Sequence, residues 1–311
     1  MQQIRIAVPD LISNSYFPAV AAVELGFFKE EGLDVEGVEL LFPVPKTMEA
    51  LRDGELDFVA GSAHATLHAF PEWRGAKLLV ALAQRMYWKL VLRADLGAGR
   101  DDLQAVTGLR IGAAPGPDAG LRRLLIEAGI DPAQDGVQIA PVPGTGEANA
   151  SFGVTAARAL EEGKIDGFWA NAMGAEVAVR RRVGTVVLDV RRGDGPPGAA
   201  SYTFPALVTT ERLIAREPET AAAAVRAIVK TQRVLRADPS RATEVGRRLF
   251  PPLEADLIAG LIEQDLPFYQ PAIAEDIVAG LNRFAQDIGL LSGPVAYEQV
   301  VATQYRELWG I

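Results

Sequence analysis

Two histidines, His64 and His68, are the only imidazoles in the chain, and they stand four residues apart in GELDFVAGSAHATLHAF (54–70). On an α-helix that spacing turns both rings to one face, which is how some zinc sites begin. A zinc site needs three or four ligands, and HATLH lacks the Glu that follows the first His in the metalloprotease motif. No metal is therefore expected. His64 falls just past a predicted strand, together with Ser62, and both are expected to hydrogen-bond a ligand. As an acid or base His64 would titrate near neutral pH, but no nucleophile or dyad partner accompanies it. His68, one turn on, is expected to pack or to face solvent.

Other candidates sit in loops that follow strands and open helices. In Ser13-Asn14-Ser15-Tyr16, hydroxyls and backbone N–H groups can face an anion or a carbonyl, and one of them is expected to cap the helix. The second such loop holds Gly116, which permits close backbone approach, and Asp118, a cap or a receiver of donor groups. In PGTGEANAS (143–151) the glycines suggest a phosphate cradle. GTG without a following Lys-Ser/Thr is not a P-loop, so Thr145 and Asn149 are read as possible donors. Trp169 ends a strand and offers a stacking face, with Asn171 behind it. Tyr202, Phe204 and Trp88 stand where a ligand site or a hinge could use them. Lys46 and Arg85 are the best-placed cations; pointing inward, either would favour a carboxylate, sulfonate or phosphate. Asp57 and Asp166 look like a carboxylate pair, but each follows a helix-ending Gly in a repeated unit, so a scaffold role is expected.

Strands alternate with helices around these residues. IRIAV (4–8), LDVEGVELLFPV and LDFVAGS read as strands, and YFPAVAAVELGFFKEEG and PKTMEALRDG as helices between them. That order implies a mostly parallel sheet covered by helices. The pattern recurs: LRIGAAPGPDAGLRRLLIEAGID mirrors IRIAVPD…EEGLD, and ALRDGELDFVAGSAHA (50–65) matches ALEEGKIDGFWANAMG (159–174). Two copies of one unit predict two similar lobes. Lobe one is expected to span 1–92 plus 203–311, and lobe two 93–202. Two chain crossings would form a hinge with a ligand cleft between the lobes, since open α/β sheets bind at the carboxyl ends of strands. The part after residue 203 is mostly helical. The expected fold class is thus α/β with two similar lobes.

The bulk numbers limit the function. With 31 basic and 40 acidic residues the net charge is −9, which argues against a nucleic-acid or anionic-membrane binder. There is no cysteine, so thiolate catalysis, iron–sulfur clusters and disulfides are excluded. No apolar run approaches the roughly 18 residues of a membrane span. MQQIRIAVPD enters a strand-like alternation directly, without a signal peptide. The expected location is periplasmic for a mature form and cytoplasmic otherwise.

IRIAVPDLISNSYFPAVAAVELGFFKEEGLDVE, ALRDGELDFVAGS, ALEEGKIDGFWAN, TTERLIAREPETAAAAVRAIVKTQRVLRADP and FAQDIGLLSGPVAYEQVV together resemble the substrate-binding proteins of ABC importers. The resemblance is to the branch for nitrate, sulfonates, taurine and thiamine-pyrimidine precursors, the NMT1/THI5-like group. It covers nearly the whole chain in order. It implies the type II periplasmic binding protein fold, a small-molecule ligand, an ABC permease as partner, a monomer and no cofactor. The same fold includes cytosolic enzymes, the aromatic sulfinate desulfinases and a pyrimidine synthase of the thiamine pathway. Their motifs carry cysteine, so an enzyme here would use other chemistry, with His64 as acid/base on an aromatic or carboxylic substrate. A sensory receptor docking on a membrane histidine kinase is the third reading.

Overall fold

The repeated strand–loop–helix unit folds twice. A computed structural model describes residues 2–145 and 151–310, and the chain divides into two compact units, 1–84 with 201–311 and 85–200. The first unit begins with β1 (Ile6–Val8), α1 (Phe17–Glu24), β2 (Val38–Leu40), α2 (Val44–Asp53), β3 (Phe58–Ser62) and β4 (Ala76–Ala81). The second holds β5 (Lys89–Arg93), β6 (Arg110–Ala113), α3 (Pro117–Glu127), β7 (Gln138–Ala140), α4 (Phe152–Glu161), β8 (Gly167–Ala170), α5 (Ala172–Arg180) and β9 (Gly184–Asp189). The chain returns to the first unit as β10 (Pro205–Thr210), followed by the long helices α6 (Pro218–Ala237), α7 (Pro252–Asp265) and α8 (Glu275–Asp287).

Each unit has one five-stranded sheet, in the orders β2-β1-β3-β10-β4 and β9-β5-β8-β6-β7. Both sheets are mixed. The β-α-β-α-β stretch makes parallel neighbours, β1 with β2 and β3 and β6 with β7 and β8, because a helical crossover returns the chain to the same edge. The strand by which the chain enters each unit is antiparallel to both its neighbours: β10 beside β3 and β4, and β5 beside β8 and β9. Because β5 is hydrogen-bonded within the second sheet, the crossing lies at Gln84–Arg85 rather than after residue 92, and the return lies at Ala200–Ser201.

The two copies share a strand-entering clamp. Gly54 and Gly163 close their helices with φ of 81° and 69°, a left-handed conformation that a side chain disfavours. Three residues on, Asp57 Oδ2 accepts the backbone N–H of Arg5 at 2.9 Å, and Asp166 Oδ2 accepts that of Arg110 at 3.0 Å. Both aspartates are scaffold. Asp166 is held further by Arg110 Nε at 2.8 Å and Nη2 at 3.0 Å and by Arg93 at 3.3 Å. The Arg110 side-chain hydrogen bonds lower its pKa to about 2, against the opposing pull of burial.

Helices cover both faces of each sheet, so central strands are buried on both sides. Phe17, Phe58, Trp73, Phe204 and Phe284 fill the first core, and Phe168 and Trp169 the second. Each contributes roughly 1.5–3 kcal/mol by leaving water. The alanine-rich face of α6 packs on α1.

Candidate functional site

In the first unit β1 and β3 run parallel, so the loop 9–16 after β1 and the segment 62–68 after β3 emerge at one sheet edge. β10 starts there in the opposite direction, with Pro205 opposite Ser62, which brings Tyr202 and Thr203 to the same edge. The predicted residues Ser13, Asn14, Tyr16, Ser62, His64 and Tyr202 are all buried there. Ser13 Oγ accepts the N–H of Ser15 at 3.2 Å. Asn14 Nδ2 donates to Asp265 Oδ2 at 2.6 Å, tying the loop to the end of α7. Tyr16 precedes α1 but supplies no side-chain cap. Tyr202 stacks on Phe284 with centroids 4.7 Å apart and planes 8° apart.

The hydroxyls of Ser15, Ser62 and Thr66 are fully buried and have no hydrogen-bond partner among the described residues. Asn14 Oδ1 is in the same position. Buried polar atoms are nearly always paired, so four such atoms at one edge set it apart.

The histidine pair does not share a face. Residues 63–68 form a 3₁₀ helix, whose three residues per turn put positions i and i+4 about 120° apart. His64 is fully buried and His68 exposed. The His64 ring stands edge-on to Phe284 at 5.5 Å, and its Nδ1 lies 3.0 Å from Thr203 Oγ1. Among the described residues no group of three or more His, Cys, Asp or Glu could hold a metal ion.

The matching edge of the second unit is built differently. Trp169, expected as a stacking face, has no exposed surface; its Nε1–H donates to Pro117 O at 3.1 Å, and Trp88 packs beside it at 6.0 Å. Asn171 caps α5, its Oδ1 accepting from Gly174 N–H at 3.2 Å. Gly116 has φ of 98°, and Asp118 accepts its N–H at 3.0 Å and pairs with Arg122 at 3.4 Å. Thr145 turns its hydroxyl back on Val142 O at 2.6 Å. Asn149 lies outside the described residues. β5 and β9 close this edge with cations: Lys89 and Arg192 each lie 2.8 Å from Asp189. Burial raises the Asp189 pKa, but Lys89 and Arg192 outweigh it and the net shift is downward. Arg191 is 2% exposed, with its guanidinium 5.6 Å from the Tyr87 ring centre.

Of the expected cations, Lys46 is exposed in the first turn of α2. Arg85 is exposed with φ of 65° and donates to Arg191 O at 3.3 Å. Sequence reasoning missed Thr66, Thr203, Asp265, Phe284 and Arg191. Thr66 and Thr203 stand within two residues of predicted positions, so proximity was the available signal. Asp265 and Phe284 arrive from the helical C-terminal part and carried none.

A family model described as NMT1/THI5 like matches residues 13–242, more than half of the chain. Among curated proteins, none matches by sequence. Solved structures match over the full length. A protein of Bordetella bronchiseptica RB50 superposes with a TM-score of 0.78 at 18% identity, covering 99% of this chain and 97% of its own. A protein reported as the periplasmic sulfonate-binding protein SsuA of a sulfonate ABC transporter, from Methylobacillus flagellatus KT, gives 0.70 at 17%, covering 99% and 94%. The desulfurization enzyme DSZB gives 0.64 at 15%, covering 99% of both chains. At these identities the likeness is one of fold, the two-lobed α/β fold of periplasmic binding proteins.

Proposed function

The chain belongs to the NMT1/THI5-like family, and we propose that it acts as a non-catalytic solute receptor delivering a small organic molecule to the permease of an ABC importer. The observation that carries this reading is the set of buried hydroxyls of Ser15, Ser62 and Thr66 without partners among the described residues. Each such group costs about 1–3 kcal/mol, a cost that a bound solute removes. The polar neighbours Ser13, Asn14 and His64 support the same edge as the place of binding. The ligand classes in view are a sulfonate, as named for the SsuA neighbour, an aromatic carboxylate or a pyrimidine-like ring. The protein works in this reading as a periplasmic monomer. Among the described residues no helix is long and apolar enough to cross a membrane.

Thermal unfolding with methanesulfonate, benzoate and cytosine, each at millimolar concentration, tests the reading. At least one solute is expected to raise the midpoint by a few degrees, because a ligand that binds only the native state stabilises it. No rise with any of the three classes sinks the receptor. A second reading, an enzyme on this fold with His64 as acid/base, draws on the His64–Thr203 contact and on DSZB among the structural neighbours. Conversion of a stabilising solute, lost in His64→Ala, would favour it over the receptor.

A further inference from the structure

We propose that Asn14 obliges the solute bound at the first unit's edge to carry a hydrogen-bond donor, an N–H or O–H group, and that Asp265 is the positioning residue that imposes this. This rests on the receptor reading above and narrows its ligand. Asn14 is 1% exposed, and its side chain ends in one acceptor oxygen and one donor nitrogen. Its Nδ2 donates to Asp265 Oδ2 at 2.6 Å. A carboxylate oxygen accepts and has no proton to return. The amide is therefore held with its nitrogen toward Asp265; turned over, it would set two acceptor oxygens against each other. The backbone carbonyl of Asn14 accepts from the fully buried Tyr269 hydroxyl at 3.4 Å. Backbone and side chain of this one loop residue are thus tied to a single stretch, residues 265–269, at the end of α7.

Neither tie engages Asn14 Oδ1, which is buried without a hydrogen-bond partner among the described residues. The other three unpartnered atoms of this edge are the hydroxyls of Ser15, Ser62 and Thr66. A hydroxyl can donate or accept, so those three suit either kind of ligand atom. Asn14 Oδ1 can only accept. A solute whose polar atoms are all acceptors leaves it buried and unmet, which is the costly case for a hydrogen bond. A solute with an N–H or O–H group beside its acceptors meets it, while the hydroxyls serve the acceptors. The requirement concerns the donor and not the charge. An amino-bearing anion satisfies it as well as a neutral carboxamide does.

Two probe pairs that differ by NH2 against CH3 isolate the donor: benzamide with acetophenone, and benzenesulfonamide with methyl phenyl sulfone. In at least one pair the NH2 member is expected to raise the unfolding midpoint and to bind about tenfold more tightly than its methyl counterpart. Asn14→Leu should close that gap. Asp265→Asn, which lets the Asn14 amide turn either way, should narrow it while binding persists, a change that a merely structural role for Asp265 would not produce. In the ligand-free protein the Asn14 side-chain ¹⁵N–¹H signals, assigned with Asn14→Leu, should move in Asp265→Asn; unmoved signals overturn the proposal even where neither variant binds. So does an equal or larger rise with the methyl member of a pair, or a gap that survives Asn14→Leu. Methanesulfonate or benzoate, which carry no donor, stabilising the protein more than every NH2 probe would overturn the donor requirement and leave the receptor standing. No rise with any of these solutes overturns both.

Discussion

The carboxyl edges of the two sheets come from matching sequences and have opposite characters. Ser62 and His64 occupy the positions that Asn171 and Met173 hold in the second copy. Asn171 spends its side chain capping a helix, Met173 is fully buried, and Trp169 directs its one donor to Pro117 O. In the first unit, Ser62, Ser15 and Thr66 leave buried hydroxyls without partners among the described residues. At the matched positions Asn171 has its partner within its own unit, whereas the Ser62 hydroxyl has none among the described residues. A duplicated unit thus lets one copy serve as the reference for the other. Where both copies keep a residue, as at Asp57 and Asp166, its role is scaffold. Where they diverge toward unpaired polarity, as at Ser62, the receptor reading puts its ligand contacts.

The largest expected effect comes from breaking the completed side. Trp169→Ala should cost about 3–5 kcal/mol, the range for deleting a buried aromatic, since Trp169 is fully buried and hydrogen-bonded. Urea unfolding followed by circular dichroism measures it. A loss below about 1 kcal/mol would mean that this edge is not a packed core element, and the contrast between the copies would fail.

What was legible in the sequence follows the same division. The Gly54/Gly163 and Asp57/Asp166 clamps could be read because they are local and occur twice. The full burial of Trp169 on a strand covered from both sides could not, because a strand's carboxyl end says nothing about which helices cover it. The split between His64 and His68 was hidden in the choice of 3₁₀ over α geometry, which a six-residue segment does not announce. Thr203 and Asp265 reach their partners across 139 and 251 residues. Such contacts are set by β10 pairing with β3 and by the packing of α7, not by any local pattern.

The clamp itself should differ between copies in strength. Asp166 has its pKa lowered to about 2 by Arg110, below the ordinary carboxylate range. Its contribution is present in full above about pH 4 and is lost as pH falls through 2. With Arg110 half exposed to solvent, Asp166→Asn should cost about 1–2 kcal/mol near neutral pH. The variant's unfolding midpoint should also vary less than wild type's between neutral pH and pH 3. Asp57 makes one side-chain hydrogen bond, to the N–H of Arg5, and Asn retains an acceptor there, so Asp57→Asn should cost under about 1 kcal/mol. Equal losses, or a larger one at Asp57, would contradict this ranking.

The smallest stability effect is also the sharpest discriminator. A serine hydroxyl that is fully buried and unpartnered, as in Ser62, brings a desolvation cost and no hydrogen bond, so Ser62→Ala should leave stability within about 0.5 kcal/mol or raise it slightly. Its counterpart Asn171→Ala removes a helix cap and should cost about 1 kcal/mol. For a stabilising solute the order reverses, with the rise in unfolding midpoint shrinking in Ser62→Ala. A destabilised Ser62→Ala would show that the hydroxyl is satisfied in the native protein. Because Ser62 opens the edge that holds His64 and Thr203, that outcome would remove the physical ground for placing a guest there.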